Sequence, residues 1–263
     1  MVNSTGPLLR RHALDLIDEA LGTSDIHEIR KRLKELRAIT DLLRSRLPHH
    51  GREDRIAFRN AARTLAGARD AEAALEAFDN LGTADFAEIR AVLSCRSVHS
   101  VDADAIAAVL VAARRRIAAW PVEGMHDDDV FSAFRRSYRR ARNAMAAATE
   151  AETPELFHEW RKRTKALWYE SRLLSDDSAK PLHKLSAVLG DHHDLALLDH
   201  LLRASPETYG DPIAVFQLLT LIAARTRDLQ HRATTLGQAL FRRRGPKRAE
   251  RRVTADEASA APR

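Results

Sequence analysis

The chain has 263 residues, 44% hydrophobic side chains, a formal net charge of +6 and a single cysteine, Cys95. This apolar fraction excludes global disorder, and one cysteine excludes an internal disulfide. No apolar run approaches the roughly 18 residues of a membrane span, and charged residues interrupt the amino-terminal segment where a signal peptide would lie. The sequence therefore predicts a soluble, cytoplasmic protein.

Most of the net charge lies at the carboxyl end of the chain. From Arg242 onward there are eight Lys/Arg and three Asp/Glu, so five of the six net positive charges belong to residues 242–263. This segment has one valine as its only large aliphatic residue, which predicts a basic disordered tail. Overall charge therefore does not argue for an anionic partner, and local patterns must decide the question.

Helical patterns follow one another along the chain without a strand between them, which predicts an all-α protein. Glycines, prolines and short polar segments separate these patterns. Thr153 followed by Pro154 fits a capped helix start, and Asp191 is placed to cap a helix after Gly190. The predicted helices span residues 7–21, 25–47, 52–66, 69–81, 84–95, 102–120, 128–151, 154–175, 179–190, 192–204 and 211–241.

An internal duplication is the most informative feature of the sequence. The segment HEIRKRLK at 27–34 matches HEWRKRTK at 158–165 with an offset of 131 residues, and the segments 65–70 and 189–194 also correspond. Repeated order of this kind predicts two related bundles that meet about a pseudo-two-fold axis, with corresponding surfaces facing one central groove. The predicted units are residues 1–120, residues 121–241 and the tail at 242–263.

The two matching helices each present one basic face. Because an α-helix turns about 100° per residue, the basic residues of each copy fall within a stripe about 120° wide. Arginine can bind two phosphate oxygens with its planar fork, lysine supplies a compact charge, and histidine can gain charge near an anion. The stripes contain His27, Arg30, Lys31, Lys34 and Arg37 in the first copy and His158, Arg161, Lys162, Lys165 and Tyr169 in the second.

The helix that precedes each basic helix adds further candidates. Arg11 lies 16 residues before His27, as Arg142 lies before His158, and Arg135 and Arg139 accompany Arg142. Arg32 and Arg163 point away from the stripes and are interpreted as ordinary surface charges.

A solvated face is the alternative interpretation of such a stripe. Like charges three or four residues apart repel, so an anion would stabilise them, but Glu28, Glu35 and Asp41 could also pair with the cations. One basic helix alone would favour the solvated face. Two copies in matching context favour a site for a phosphate-rich polyanion.

The sequence resembles the CHAD family, the conserved histidine α-helical domain, over residues 7–240. The resemblance implies two four-helix bundles about a basic groove, binding of inorganic polyphosphate and, in some members, association with polyphosphate granules. Two positions depart from the family pattern, since Glu35 and Trp168 stand where a cation is common. The residues that carry the resemblance are HEIRKRLKELR at 27–37, FRRSYRRAR at 134–142, FHEWRKRTKALWY at 157–169 and LSAVLGDHHDL at 185–195.

The resulting hypothesis is a non-catalytic polyphosphate-binding protein with no cofactor and no metal. A nucleic-acid-binding helical protein is the first alternative, although few aromatic residues lie between the basic ones. A metal-dependent phosphoanhydride hydrolase is the second, because His192-His193-Asp194 could suggest metal ligands. The matching Ala68-Arg69-Asp70 could not ligate a metal comparably, which disfavours that alternative. Oligomeric state stays open.

Overall fold

The computed structural model describes residues 5–47, 49–82, 85–95 and 103–242, apart from the side chains of His50 and residues 66–70. Within these ranges every regular element is helical, ten α-helices and one 3₁₀ turn, which confirms the predicted all-α class. The predicted disordered tail lies outside the described residues except for Arg242. No described helix combines the length and the apolarity that crossing a membrane requires.

The helices are numbered in chain order, and the 3₁₀ turn is Pro206–Tyr209. Their bounds are α1 Thr5–Leu21, α2 Ile26–Leu42, α3 His50–Thr64, α4 Ala66–Asp79, α5 Ala87–Ser94, α6 Ala103–Ala118, α7 Asp127–Ala151, α8 Pro154–Leu173, α9 Ala179–Ala204 and α10 Pro212–Phe241.

Side-chain caps fix the first turns of both basic helices. The Asp25 carboxylate accepts a hydrogen bond from the backbone N–H of His27 at 2.8 Å, which starts α2. The Thr153 hydroxyl accepts from the N–H of Leu156, and Pro154 occupies the first turn of α8. The predicted Thr153-Pro154 start is therefore confirmed. Helix α2 begins one residue before His27, and α8 begins one turn before His158.

The predicted helix break at Gly190 is wrong. Helix α9 runs through this position without interruption, and Asp191 is an exposed residue in mid-helix rather than a cap. Leu189, His192 and Leu195 continue the buried face across it. Core packing at helical spacing outweighs the roughly 1 kcal/mol that a glycine costs in a helix interior. The matching part of the amino-terminal region does break, at Leu65 between α3 and α4.

Helices α2 and α8 lie next to each other within the fold. Helix α2 packs against α1, α3 and α8, and α8 packs against α7, α9 and α2. The Arg172 guanidinium of α8 donates to Glu35 of α2 at 3.0 Å, and Glu35 is only 5% exposed. Arg32 of α2 pairs with Glu19 of α1 at 2.7 Å. The core on their inner sides includes Leu33, Leu36, Trp160 and Leu167.

Candidate anion site

Helix α2 presents different charges to its different neighbours. Glu28, Arg32 and Glu35 form the row nearest Tyr169 of α8, where their charges act on the tyrosine hydroxyl. Arg30 and Arg37 lie about 150–200° further around the helix, on the side of α3. The basic residues predicted as one stripe are therefore divided between the α3 side and the surface between α3 and α8.

Arg30 holds the carboxyl end of α3. Its guanidinium donates to the backbone oxygen of Leu65 and, at 3.4 Å, to that of Ala62. The last carbonyls of a helix lack partners within the helix, so a cation there satisfies them and complements the helix dipole. Arg30 therefore stabilises the α2–α3 pair, whatever else it binds.

Arg37 belongs to a group of three arginines between α2 and α3. Burial lowers the pKa of its guanidinium, Arg55 and Arg59 of α3 lower it further, and Asp41 opposes them. Asp41 lies 3.2 Å from Arg55 Nε, and Arg37 Nε is buried without a hydrogen-bond partner among the described residues. Three arginines thus share one nearby carboxylate, which is an arrangement that an anion would stabilise.

The remaining α2 candidates lie at the surface between these two sides. His27 is exposed, Lys34 is partly buried, and Lys31 Nζ lies 3.5 Å from the Glu28 carboxylate. A partly exposed pair at this distance contributes little, on the order of 1 kcal/mol or less, so a polyphosphate chain could displace it.

Lys165 of α8 lies in a cationic and aromatic environment. Its ammonium is 4.1 Å from the centre of the Trp168 ring and 5.6 Å from that of Tyr169. Burial lowers its pKa to about 8, and the charges of Arg161 and Arg172 add to the shift. No carboxylate lies within 4.0 Å of this ammonium in the described part of the chain. Arg161, Lys165 and Arg172 therefore lie on one side of α8, spread over about three turns of the helix.

Two histidines meet beside this cluster. The Nδ1 atoms of His158 on α8 and His193 on α9 are 3.1 Å apart, and the ring centres are 4.4 Å apart. Burial lowers both pKa values, that of His193 to about 4, and Arg161 lowers them further. A bound anion would raise both pKa values and favour a charged histidine.

Tyr169 is less open than predicted, and Lys162 is exposed but paired. Tyr169 is 4% exposed, and its pKa is raised first by burial and then by the charge of Glu35. It therefore lies in the α2–α8 contact rather than on an open face. Lys162 pairs with Glu159 at 2.5 Å, and Arg163 with the same carboxylate at 2.7 Å.

A family model for the CHAD domain matches residues 9–203. The chain belongs to the CHAD family. No curated protein and no solved structure matches it. The matched region of this CHAD protein extends from α1 almost to the end of α9 and so includes both basic helices.

Four predicted residues of the CHAD protein lie away from these clusters. Arg11 lines a cleft on the α1 and α6 side together with Asp15, Asp18 and Arg114. The other three, Arg135, Arg139 and Arg142, are exposed on α7.

The arginines of α7 that face α8 are different ones. The charges of Arg136 and Arg140 act on Glu170 of α8, which is 1% exposed and accepts a hydrogen bond from Ser137 at 2.9 Å. Burial raises the pKa of Glu170 well above its usual range. Sequence reasoning selected Arg135, Arg139 and Arg142 instead because their spacing gives one face, without showing which face meets α8.

Several residues of the clusters were missed in the sequence. Arg55 and Arg59 are four residues apart on α3, and Arg172 follows Lys165 by seven residues, so helical spacing could have identified them. The pairing of His193 with His158, and that of His183 with Trp168 at 4.9 Å between ring centres, depend on how α9 packs on α8. Among the described residues there is no cluster of three or more His, Cys, Asp or Glu side chains suited to a metal ion.

Proposed function

We propose that this CHAD protein binds inorganic polyphosphate without catalysing its conversion, and that it associates with polyphosphate granules. CHAD domains occur in polyphosphate-binding proteins, and the family assignment supports this ligand. The observation that carries the proposal is a pair of cation clusters, Arg37 with Arg55 and Arg59, and Lys165 with Arg161 and Arg172. The charges of Arg55 and Arg59 lower the pKa of Arg37, and those of Arg161 and Arg172 lower the pKa of Lys165. Binding of a polyanion would relieve this repulsion.

A linear polyanion suits these clusters better than a single phosphate. They lie on α2 with α3 and on α8, and Glu35 and Arg172 hold α2 against α8. A chain with about one charge per unit could contact both clusters at once, which would raise its affinity without any new contact type. Arginine forks and a lysine ammonium are the donors that phosphate oxygens accept.

We further propose that residues 1–120 and 121–241 are the two units of an internal duplication, with a basic groove between them. Matching ion pairs support this arrangement, because Glu28 and Glu159 take equivalent positions in α2 and α8. Each carboxylate pairs with a lysine three residues later and an arginine four residues later. These pairs are Glu28 with Lys31 and Arg32, and Glu159 with Lys162 and Arg163.

The proposal is tested by neutralising both clusters while keeping the aliphatic stems. The test variant changes Arg37, Arg59, Arg161 and Lys165 to Gln and keeps Arg30, which holds the end of α3. The control variant removes the same four charges at exposed positions, Arg63, Arg115, Lys180 and Arg227. Binding of fluorescent long-chain polyphosphate is measured at several salt concentrations, with unlabelled RNA and DNA as competitors.

The test variant is expected to lose at least about a hundredfold in affinity, with a shallower salt dependence because fewer ion pairs form. The control should change affinity by no more than about threefold, the scale of long-range charge effects. Equal losses in both variants would contradict a defined site. Stronger competition by RNA or DNA than by polyphosphate would favour a nucleic-acid ligand, and release of phosphate with Mg²⁺ present would contradict a non-catalytic role.

A further inference from the structure

Lys165 differs in environment from Lys31 and Lys162 of the two basic helices. Lys31 and Lys162 are paired with Glu28 and Glu159, whereas the Lys165 ammonium lies over the Trp168 ring. The side chain of Lys165 is partly buried and remains accessible. Its ammonium therefore lies in a surrounding of low polarity and has no carboxylate partner among the described residues.

The groups that face Lys165 are mostly cationic or aromatic. On α8 these are Arg161, Tyr169 and Arg172, and Arg172 is held by Glu35 of α2. The lysine also contacts the Trp168 ring, and the ring of His183 on α9 lies against that ring at a tilt. This environment favours the neutral amine, because both burial and like charges oppose the ammonium.

A neutral lysine amine is a nucleophile. With a pKa of about 8, about a quarter of Lys165 is neutral at pH 7.5, compared with about 0.1% of an ordinary lysine. An amine of lower basicity is also a weaker nucleophile. The net gain in reactivity is therefore smaller than the ratio of the two neutral fractions. Desolvation next to other cations is a known way to activate lysine in this sense.

We propose that Lys165 is a modification site that accepts the acyl group of small acyl phosphates. Arg161 and Arg172 would bind the phosphate part and place the acyl carbon near Nζ. The Nζ lone pair attacks the acyl carbon, the bond from that carbon to the phosphate oxygen breaks, and inorganic phosphate leaves with the electron pair. The nitrogen releases a proton to phosphate or solvent, which leaves a neutral amide.

This modification would regulate the proposed polyphosphate site, and in that respect it rests on the proposed function. An amide at Lys165 removes one cation of the α8 cluster and cannot form an ion pair with a phosphate oxygen. Acylated protein should therefore bind polyphosphate about threefold to tenfold more weakly. The transfer itself needs only the phosphate-binding guanidiniums and can be measured with no polyphosphate present.

The test uses the full chain with acetyl phosphate at pH 7.5, and peptide mass spectrometry measures the initial acetylation rate at each lysine. Lys165 should react at least about tenfold faster than Lys180 and Lys184, which are exposed on α9. Arg161→Gln and Arg172→Gln should each slow Lys165 about threefold or more without changing Lys180. Inorganic phosphate should protect Lys165 selectively.

A neutral acyl donor, p-nitrophenyl acetate, separates phosphate recognition from simple reactivity. The preference for Lys165 should shrink with this donor, because it offers the arginines no phosphate. Acetylation of Lys165 by acetyl phosphate no faster than that of Lys180 would overturn the proposal, and so would an equal preference with both donors. If the preference holds but polyphosphate does not bind, the modification site stands and only the proposed function fails.

Discussion

Helices α2 and α8 begin with almost the same sequence, yet they use equivalent arginines differently. Arg30 donates to the carbonyls at the carboxyl end of α3, because that helix ends at Thr64. Its counterpart Arg161 faces α9, which is unbroken and uses its interior carbonyls within the helix. The charge of Arg161 acts instead on His193 and Lys165. Whether a basic residue is structural or part of a site thus depends on the helix opposite.

The next turn shows a second difference between the two regions. Arg37 and Arg59 lie together between α2 and α3, whereas the matching positions between α8 and α9 hold Trp168 and His183. The first region therefore concentrates charge, and the second holds a lysine over a ring. A single polyanion would meet a more charged surface at α2 and α3 and a less polar surface at α8 and α9.

The largest expected effect comes from testing how differently the two regions are packed. Trp160 of α8 is fully buried against Phe157 and Gly237, whereas Ile29 at the matching position of α2 is partly buried. Trp160→Ala should lower the free energy of unfolding by about 3–5 kcal/mol. Ile29→Ala should cost about 1–2 kcal/mol, since less area is buried. Urea denaturation followed by circular dichroism measures both.

Trp160→Phe is the control for the ring itself. The indole Nε1 is buried without a hydrogen-bond partner among the described residues, so its removal leaves no new unpaired group. This variant should lose less than half as much stability as Trp160→Ala. Equal losses for Trp160→Ala and Ile29→Ala would show that the two regions are packed alike.

Local and repeated signals in the sequence predicted a good part of this molecule. The all-α class, the Thr153 cap and the two basic helices follow from residue type and helical spacing. The unbroken α9 did not, because Gly190-Asp191 has the local pattern of a helix end and only core packing overrides it. The contact of Arg30 with the end of α3 could not be predicted either, since it depends on where another helix ends.

Acid should weaken the carboxy-terminal region through His192. Burial lowers the pKa of this histidine to about 4, and its value in the unfolded chain is about 6.5. Between these two pH values the unfolded state therefore binds more protons than the folded state. The contribution of His192 to the free energy of unfolding is fully present above pH 6.5 and is lost as the pH decreases toward 4. Lowering the pH from 7 to 5 should cost about 2 kcal/mol through this residue alone.

His192→Gln should remove this part of the pH dependence and retain a polar group facing Gln230, which lies 3.3 Å from His192. The measurement is urea unfolding at pH 7 and pH 5. His200→Gln, at an exposed position of the same helix, is the matched control and should leave the difference unchanged. The amino-terminal match of His192 is Ala68. A difference between pH 7 and pH 5 that is as large in His192→Gln as in the unaltered protein would contradict this asymmetry.

Glu35 offers the smallest but most direct test of how the two regions share charge. This carboxylate accepts from Arg172 at 3.0 Å and lies 3.5 Å from Arg32. Glu35→Gln keeps the shape, removes one negative charge and frees Arg172 toward the Lys165 cluster. Affinity for polyphosphate should rise about threefold, which corresponds to about 0.6 kcal/mol.

The matched control is Glu123→Gln, which removes the same charge at a position far along the sequence from both basic helices. Glu123 is 66% exposed and pairs with Arg10 at 2.6 Å. It should leave the affinity nearly unchanged, since an exposed charge outside the site is screened by salt. An equal rise in both variants would mean that polyphosphate responds to net charge alone. A rise confined to Glu35→Gln would instead locate the bound chain where α2 meets α8.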